Sequence, residues 1–355
     1  MTIKVAVIGA SFAKEAYLPA LATIPDVEVV AISSARLDSA KAVAEKFNIP
    51  NSYDDWKVML EKHSVDLVGI ATPTVYHAPM ALAALEAGAH VICEKPMAMN
   101  VAESQKMLET AEHFKRVHMI GHELRFNPNR RKIHNLIKDG VIGQVRHVNI
   151  VNINGGWGNP AGLASDGWLL KAEMGGGRLG ANGSHQLDLL RFWLGDIGSV
   201  SGQVMTMIPN RTDKNTGEPF VVTSDDTTTF TAEFKNGAIA QVFMSGVARN
   251  NIGNHVQIFG SEGSIKLSDG EEKLWLAKPG EDFVDVSESD PNANLPGIGK
   301  GIWNVSFVAL IQEATAAIRE GRSVQWGATF ADGLKTQQAM DAIRVSSKER
   351  QWISL

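Results

Sequence analysis

The sequence predicts an α/β chain in two parts, a doubly wound parallel sheet followed by an α+β region with an open, mainly antiparallel sheet. Over the first 121 residues, short β-branched runs alternate with helical patterns, as in parallel sheets built from βαβ units. After Gly121, strand-like runs follow one another directly, which is typical of antiparallel sheets. The length of 355 residues is sufficient for two domains of about 100 to 200 residues. We therefore expect one domain over residues 1-122 and a second over residues 123-355.

The first part alternates predicted strands and helices. Its strands are Ile3 to Ile8, Val27 to Ser33, Leu67 to Ala71, His90 to Cys93 and Val117 to Gly121. Its helices are Asp38 to Phe47, Asp54 to Lys62, Tyr76 to Ala87 and Asn100 to Phe114. Asn100 can cap the last of these, because Glu103 stands three residues later. Ligands of a doubly wound sheet bind outside the carboxyl ends of its strands, so the residues that follow the strands are the candidates for a site.

The second part is dominated by predicted strands. They are Arg146 to Asn154, Val200 to Met207, Asp226 to Phe234, Ala238 to Ser245, Asn254 to Phe259 and Ser264 to Leu267. Its predicted helices are Arg130 to Lys138, Ser184 to Trp193, Val305 to Glu320 and Thr329 to Ser346, and a short strand follows the last.

Composition argues against several classes of partner. The formal charge is −5, from 34 Lys and Arg against 39 Asp and Glu, and no run of basic residues marks a nucleic-acid surface. The single cysteine, Cys93, cannot form an intrachain disulfide, which favours a reducing compartment. No apolar stretch approaches the 18 residues of a membrane span. We expect a cytoplasmic protein that binds neither nucleic acid nor membrane.

The first strand leads into Gly9-Ala10-Ser11-Phe12-Ala13-Lys14, where a dinucleotide-binding fold has its glycine-rich turn. Of the three expected glycines only Gly9 is present. A turn of small residues can still bring a pyrophosphate to the backbone N–H groups of a helix N-terminus. A tight turn without a ligand explains the same segment equally well.

The second strand ends in Ser33-Ser34-Ala35-Arg36, where an acidic residue would otherwise bind the adenosine ribose. Two hydroxyls and a guanidinium can bind a 2′-phosphate, and no carboxylate repels it. This favours NADP(H) as the cofactor, with NAD(H) as the alternative. The simpler interpretation of Arg36 is a solvated residue that precedes a helix.

The fourth strand continues into Cys93-Glu94-Lys95-Pro96, which places Glu94 and Lys95 at the ligand-binding rim. An ordinary surface lysine is the simpler explanation of Lys95 taken alone. Cys93 is expected to be a small buried apolar side chain rather than a nucleophile.

A glycine-rich block from Gly175 to Asp188 predicts backbone that lies close to another group. Ser184 can cap a helix that carries His185 in its first turn. The helix dipole would lower the pKa of His185 there, which suits a proton relay near neutral pH. A purely structural histidine is the competing interpretation.

Metal and serine-hydrolase chemistry have little support. The ten histidines include no H-x-x-x-H or H-E-x-x-H pair on a predicted helix, and one cysteine cannot build a thiolate site. The nucleophile elbow G-x-S-x-G is absent. We expect no metal cofactor.

Taken together, these segments resemble the Gfo/Idh/MocA family of oxidoreductases over nearly the whole chain. The motifs that carry the resemblance are Gly9-Ala10-Ser11 with Tyr17-Leu18-Pro19-Ala20-Leu21, Ala71-Thr72-Pro73 with His77, Glu94-Lys95-Pro96, Arg125-Phe126-Asn127-Pro128, Ile142-Gly143, Trp168, Gly175 to Asp188, Asp225-Asp226, and Gly260-Ser261-Glu262-Gly263. Glu-Lys-Pro followed downstream by a glycine-rich block ending in G-x-H-x-x-D is specific as a pair.

The resemblance implies a Rossmann domain and an NAD(P)-dependent oxidoreductase of sugars, polyols or related alcohols. It also implies that the open sheet makes oligomer contacts, in a homodimer or homotetramer. Lys95 would hydrogen-bond the reacting hydroxyl, with a cis bond before Pro96, and His185 would carry the proton. The cofactor would be lined by Thr72, Pro73, His77 and Glu94. We expect the substrate to contact Lys95, His122, Glu123, Arg125, Trp157, Trp168, Asn182 and His185.

Two departures from the family pattern keep other functions open. The phosphate turn lacks its second glycine and is one residue shorter, as in a Gly-Ala-Ser branch of the family. The family commonly has Asp four residues before the catalytic histidine, and this chain has Ala181, with Asn182 beside it. A non-catalytic NAD(P)-binding sensor is therefore an alternative. An NAD-assisted glycosidase or epimerising enzyme is a third hypothesis.

Overall fold

The computed structural model describes residues 2–268 and 272–355. Within them the chain divides into two compact units. The first unit combines Met1–Asn127 with Asp290–Leu334, and the second combines Pro128–Ser289 with Lys335–Leu355.

The helices and strands follow one another along the chain. The strands are β1 (Ile3–Ile8), β2 (Val27–Ser33), β3 (Asn51–Tyr53), β4 (Leu67–Ile70), β5 (His90–Cys93), β6 (His118–Ile120), β7 (Val145–Ile153), β8 (Ile197–Met205), β9 (Asn210–Thr212), β10 (Pro219–Val221), β11 (Thr227–Phe234), β12 (Ile239–Ser245), β13 (Gly253–Gly260), β14 (Ser264–Ser268), β15 (Lys273–Ala277), β16 (Val284–Asp285) and β17 (Ile353–Ser354). The α-helices are α1 (Leu18–Leu21), α2 (Leu37–Phe47), α3 (Trp56–Lys62), α4 (His77–Glu86), α5 (Val101–His113), α6 (Pro128–Lys138), α7 (Ser184–Leu194), α8 (Ile302–Glu320) and α9 (Phe330–Glu349). Two π-helical turns, Ala13–Tyr17 and Leu179–Gly183, lie directly before α1 and α7.

The first unit is built on a six-stranded parallel sheet in the order β3-β2-β1-β4-β5-β6. The order reverses direction between β1 and β4, which is the switch point at which doubly wound sheets bind ligands. The predicted doubly wound sheet is therefore confirmed, and short β3 is an additional strand.

Alternate residues of β1 enter two different cores, as the period of a strand requires. Val5 and Val7 pack in one core, while Ala6 and Ile8 pack in the other with α4 and α5. The first core is completed by apolar residues of α8, among them Phe307. For this reason residues 290–334 belong to the first unit, whereas the sequence-based division placed everything after residue 122 in the second domain.

The second unit is built on a nine-stranded sheet in the order β16-β15-β14-β13-β7-β12-β11-β8-β17. Among the described strands of this sheet, β7 and β12 pair in parallel and the other neighbours pair antiparallel, so the predicted open, mainly antiparallel sheet is confirmed. Side chains of β12 alternate between exposed and buried, which leaves one sheet face open.

Candidate functional site

The carboxyl edge of the parallel sheet brings the segments that follow five strands into register. Backbone N–H groups just past each strand donate to carbonyls at the end of the neighbouring strand. These bonds join Ser34 to Tyr53 (3.0 Å), Gly9 to Ser33 (2.8 Å), Ala71 to Ile8 (2.7 Å), Glu94 to Ile70 (2.9 Å) and Gly121 to Cys93 (2.7 Å). The predicted cofactor segments of the first unit therefore lie along one continuous edge.

The turn after β1 requires glycine at its first position. Gly9 has a φ of +107°, and a Cβ there would lie 2.1 Å from the carbonyl oxygen of Ala71. Ser11 is exposed and Phe12 half-buried immediately before the π-helical turn. The first turn of a helix has N–H groups without intrahelical acceptors, and these bind phosphate. A close backbone approach beside such a turn fits a dinucleotide, even though two of the usual glycines are absent.

Helix α8, which belongs to the later segment of the first unit, packs against this turn. The Asn304 amide donates to the carbonyl of Glu15 (2.6 Å) inside the π-helical turn. The Phe307 ring packs at 6.0 Å from Phe12 and 4.5 Å from Tyr17, measured between centroids. The sequence carried no sign of these partners, because a contact between such distant segments leaves no local pattern.

The segment after β2 combines a buried hydroxyl with an exposed cation. Ser33 is buried, Ser34 is half-buried, and Arg36 is exposed on extended backbone at the start of α2. Arg36 is thus accessible to an anionic group at this end of the sheet.

His77 joins the loops after β4 and β5. Its ring is fully buried, with Nδ1 2.9 Å from the carbonyl of Pro96 and Nε2 2.9 Å from the carbonyl of Thr72. Burial lowers the pKa of His77, although the two carbonyls oppose this shift. His77 therefore fixes the backbone around Thr72 and Pro73, while both of those residues stay half-buried and accessible.

Glu94 is a buried carboxyl group on the carboxyl edge, directly after β5. Burial raises the pKa of Glu94 to about 7, against the opposing effect of neighbouring Lys95. Its Oε1 has no hydrogen-bond partner among the described residues, and a Cβ on Gly121 would lie 2.5 Å from that atom. The hydroxyl of Tyr17 lies beside the same carboxyl group, and burial together with Glu94 raises the pKa of Tyr17. Tyr17 thus provides a hydroxyl donor for the buried Glu94 carboxyl group.

Lys95 follows at the rim, half-buried, and its peptide bond to Pro96 is cis, as expected. Cys93, one residue before Glu94, is fully buried, and burial raises the pKa of its thiol well above the usual value. The prediction that Cys93 is a small buried apolar side chain is consistent with this environment.

The residues after β6 are more buried than their predicted substrate role suggested. His122, Glu123 and Arg125 are 1%, 3% and 5% exposed. The Arg125 guanidinium forms an ion pair with Asp332 at 3.2 Å. Arg125 thus has a structural partner within the first unit, which sequence analysis missed because Asp332 is remote in the chain.

In the second unit, the glycine run lies close to protein backbone. A Cβ on Gly176 would lie 2.4 Å from the carbonyl oxygen of Leu169, and a Cβ on Gly177 2.0 Å from Oδ1 of Asp225. Leu169 also accepts from the N–H of Gly177 at 2.9 Å. Gly176 and Gly177 therefore allow the Trp168–Leu170 turn and Asp225 to pack closely against this backbone. Packing within the protein thus accounts for these two glycines without a ligand.

The helix that carries His185 begins earlier than predicted. The π-helical turn Leu179–Gly183 runs directly into α7, and Asp225 caps its start by accepting from the N–H of Leu179 at 2.8 Å. Ser184 is not the cap, because its hydroxyl donates to the carbonyl of Gly180 at 2.6 Å within the helix. His185 consequently lies in the second helical turn and not in the first turn that was predicted for it. The side chain is 8% exposed.

Arg178 is a second-unit residue that sequence analysis did not single out. Its guanidinium lies 5.8 Å from the centre of the Trp157 ring, and its Nη2 donates to Oδ1 of Asn152 at 3.2 Å. Trp157, Trp168 and Asn182 are each half-buried. The structure thus places Trp157 next to the glycine block through Arg178.

Two other features bear on the class of protein. Within residues 2–268 and 272–355, no cluster of three or more His, Cys, Asp or Glu side chains is suited to a metal ion. In the same ranges, no helix combines the length and the apolar character needed to cross a membrane.

Comparison with known proteins gives matches over most of the chain. Residues 3–122 match the model of an oxidoreductase family with an NAD-binding Rossmann fold, and residues 130–266 match the GFO/IDH/MocA C-terminal domain. Levoglucosan dehydrogenase of Pseudarthrobacter phenanthrenivorans is 28% identical over 99% of this chain and 98% of its own length. Glucose-fructose oxidoreductase domain-containing protein 2 of Xenopus laevis is 30% identical over 90% of this chain and 85% of its own. A solved complex of levoglucosan dehydrogenase with NADH and levoglucosan superposes with a TM-score of 0.90 at 27% identity, covering 100% of this chain and 99% of that one.

Proposed function

The chain belongs to the Gfo/Idh/MocA family of oxidoreductases, and from this premise we propose that it transfers a hydride between a nicotinamide dinucleotide and a carbohydrate or polyol. The single observation that carries the proposal is the carboxyl edge of the parallel sheet. There the Gly9 turn follows β1, and the buried Glu94 carboxyl group and Lys95 follow β5, which is separated from β1 by β4 alone. The named sugar dehydrogenases among the relatives support a sugar-like substrate.

The residues along this edge suit an extended dinucleotide. Backbone N–H groups from Gly9 to Ala13, through Ala10, Ser11 and Phe12, would bind the pyrophosphate. Thr72, Pro73, His77 and Glu94 would line the nicotinamide half. At the other end, Ser33, Ser34 and exposed Arg36 would bind a 2′-phosphate, so NADP(H) is the preferred cofactor and NAD(H) the alternative.

The bound dinucleotide supplies the hydride acceptor or donor at its nicotinamide ring. The Lys95 ammonium donates a hydrogen bond to the reacting oxygen and stabilises the negative charge that develops on it. His185 accepts the hydroxyl proton during oxidation and returns it during reduction. His122, Glu123, Arg125, Trp157, Trp168 and Asn182 would orient the remaining hydroxyl groups, with Arg125 held in place by Asp332.

The roles of Lys95 and His185 are tested by substitution to alanine. We expect each variant to lower kcat by about 10² to 10⁴, the usual contribution of a positioned acid or base. Steady-state rates are measured by nicotinamide absorbance on a panel of sugars, polyols and aldoses. The matched controls are Lys106→Ala and His113→Ala, which change exposed residues on α5.

Rates within a few-fold of the wild-type value would refute the catalytic pair. The sensor alternative, which Ala181 motivates, makes a different prediction. It requires tight dinucleotide binding in a titration together with no turnover on any member of the panel.

A further inference from the structure

Arg178 is a buried cation with few partners. It is 7% exposed, and its Nε is buried without a hydrogen-bond partner among the described residues. Its one side-chain hydrogen bond within those residues goes to Asn152, a neutral amide. The Trp157 ring, 5.8 Å away, adds a cation–π contact.

Asp225, the carboxylate whose charge acts on Arg178, does not form an ion pair with it. Asp225 influences the guanidinium, but its Oδ2 accepts from the N–H of Leu179 (2.8 Å) and from the Thr228 hydroxyl (2.9 Å). Among the described residues, no ion pair within 4.0 Å includes Arg178. Burial lowers the pKa of Arg178 and raises the pKa of Asp225, as expected for two buried groups that are not closely paired.

A buried cation without a direct counter-ion is costly, and proteins keep such groups where an anion completes them. The same block lacks the carboxylate that the family usually has before its catalytic histidine, since that position is Ala181. Relative to the family pattern, the block has lost one negative charge and contains a guanidinium. Arg178 and Asp188 give the block a formal charge of zero, so the feature that favours a negative substrate is Arg178 itself, which lacks a direct ion-pair partner among the described residues.

We propose that Arg178 binds a carboxylate of the substrate, so that the enzyme acts on a sugar acid or other polyhydroxy acid in preference to the neutral sugar. This inference rests on the proposed dehydrogenase function. A carboxylate matches a single guanidinium in charge and can accept two parallel N–H bonds from it. Trp157 holds the guanidinium plane in place, and Asn152 holds one of its nitrogens.

The test compares substrates that differ only in the acid group, D-glucose with D-glucuronate and D-galactose with D-galacturonate. We expect the wild-type kcat/KM to favour the acid of the preferred pair. Arg178→Gln should reduce kcat/KM for the acid about 10- to 100-fold, the value of a charge-assisted hydrogen bond, and leave the neutral sugar within about threefold. Arg146→Gln, an exposed second-unit arginine, is the matched control.

An equal loss on the acid and on the neutral sugar would overturn the proposal, because a structural role predicts that result. If Arg178→Gln does not fold, Arg178→Lys retains the charge without the planar fork, and it should still weaken acid binding selectively.

Calorimetric titration of the wild type separates this inference from the function on which it rests. If the protein binds the sugar acid in a way that depends on Arg178 but does not turn it over, the result supports the carboxylate site and refutes the proposed dehydrogenase function. Turnover of neutral sugars with no preference for acids refutes the carboxylate site alone. Tighter binding of glucose 6-phosphate than of glucuronate would also refute the carboxylate assignment.

Discussion

Single side chains along the carboxyl edge differ in charge and in exposure, and each has a different role in the proposed binding of a dinucleotide. Glu94 is buried and only partly ionised near neutral pH, so it contributes less negative charge beside Lys95 than its formal charge suggests. Arg36, by contrast, is exposed at the opposite end of the edge. An anionic dinucleotide bound along this edge, as proposed, would meet positive groups and backbone N–H donors along its length, although the chain carries a net charge of −5.

Arg36 carries the prediction on cofactor choice. Arg36→Ala should raise the KM for NADP(H) about tenfold through loss of a charge-assisted hydrogen bond, and change the KM for NAD(H) less than about threefold. Both values come from steady-state kinetics with each cofactor. Lys41→Ala, an exposed residue on α2, serves as the control. A loss of the same size with both cofactors would contradict the preference for the 2′-phosphate.

The sequence identified residues whose signal is local. The environments of Gly9 and Cys93 follow from short motifs at strand ends, whereas the cis bond before Pro96 was implied by the resemblance to the family. The counterpart of Arg125 and the contacts of Arg178 lie far away in the chain, so no local pattern reveals them. Ser184 was misassigned as a cap because the residue that caps the helix, Asp225, comes later in the sequence.

At the scale of elements, α8 is part of the dinucleotide-binding unit. Its apolar face packs against β1 and the π-helical turn Ala13–Tyr17, and its Asn304 donates to a carbonyl within that turn. Regular strands and helices were predictable from their periodicity. The π-helical turns were not, because one extra residue per turn has no signature in a pattern of apolar positions.

Asn304→Ala tests whether α8 positions the phosphate turn. Removing one neutral hydrogen bond of about 1 kcal/mol should raise the Kd of the dinucleotide about fivefold. The kcat at saturating cofactor should stay within about twofold, because Asn304 is not placed near the reacting groups. Fluorescence titration gives the Kd, and Gln312→Ala on the exposed side of α8 is the control. An unchanged Kd would show that the turn keeps its geometry without α8.

At the scale of the whole molecule, the open face of the large sheet carries rows of side chains that cross several strands. Ile239 and Phe243 of β12 are 43% and 41% exposed. Ile239 is in register with His147 of β7, which pairs with Phe259 of β13, and the rings of His147 and Phe259 stack with their centroids 4.6 Å apart. Phe243 is in register with Val151 of β7, which pairs with His255 of β13. Contiguous exposed apolar surface of this kind commonly marks an interface.

The open face therefore predicts a homodimer or homotetramer. Substituting Phe243→Lys together with Ile239→Lys should shift the protein toward the monomer, since charges would have to be buried in the interface. Light scattering after size exclusion measures the mass. Val221→Lys, on the separate two-stranded ribbon of β9 and β10, is the control. A wild-type protein that is monomeric at micromolar concentration would contradict the prediction.

The interrupted course of the first unit has a consequence for the order in which the protein can assemble during synthesis. During synthesis, Asn304 is added to the chain 289 residues after its hydrogen-bond partner Glu15. By then every strand of the second unit except β17 has been made. A nascent chain that ends at Asn127 has its parallel sheet but lacks Phe307 and the rest of α8. The Gly9 turn therefore gains its contacts with α8 only after strands β7 to β16 of the second unit have been made, and the N-terminal piece alone is not equivalent to the first unit.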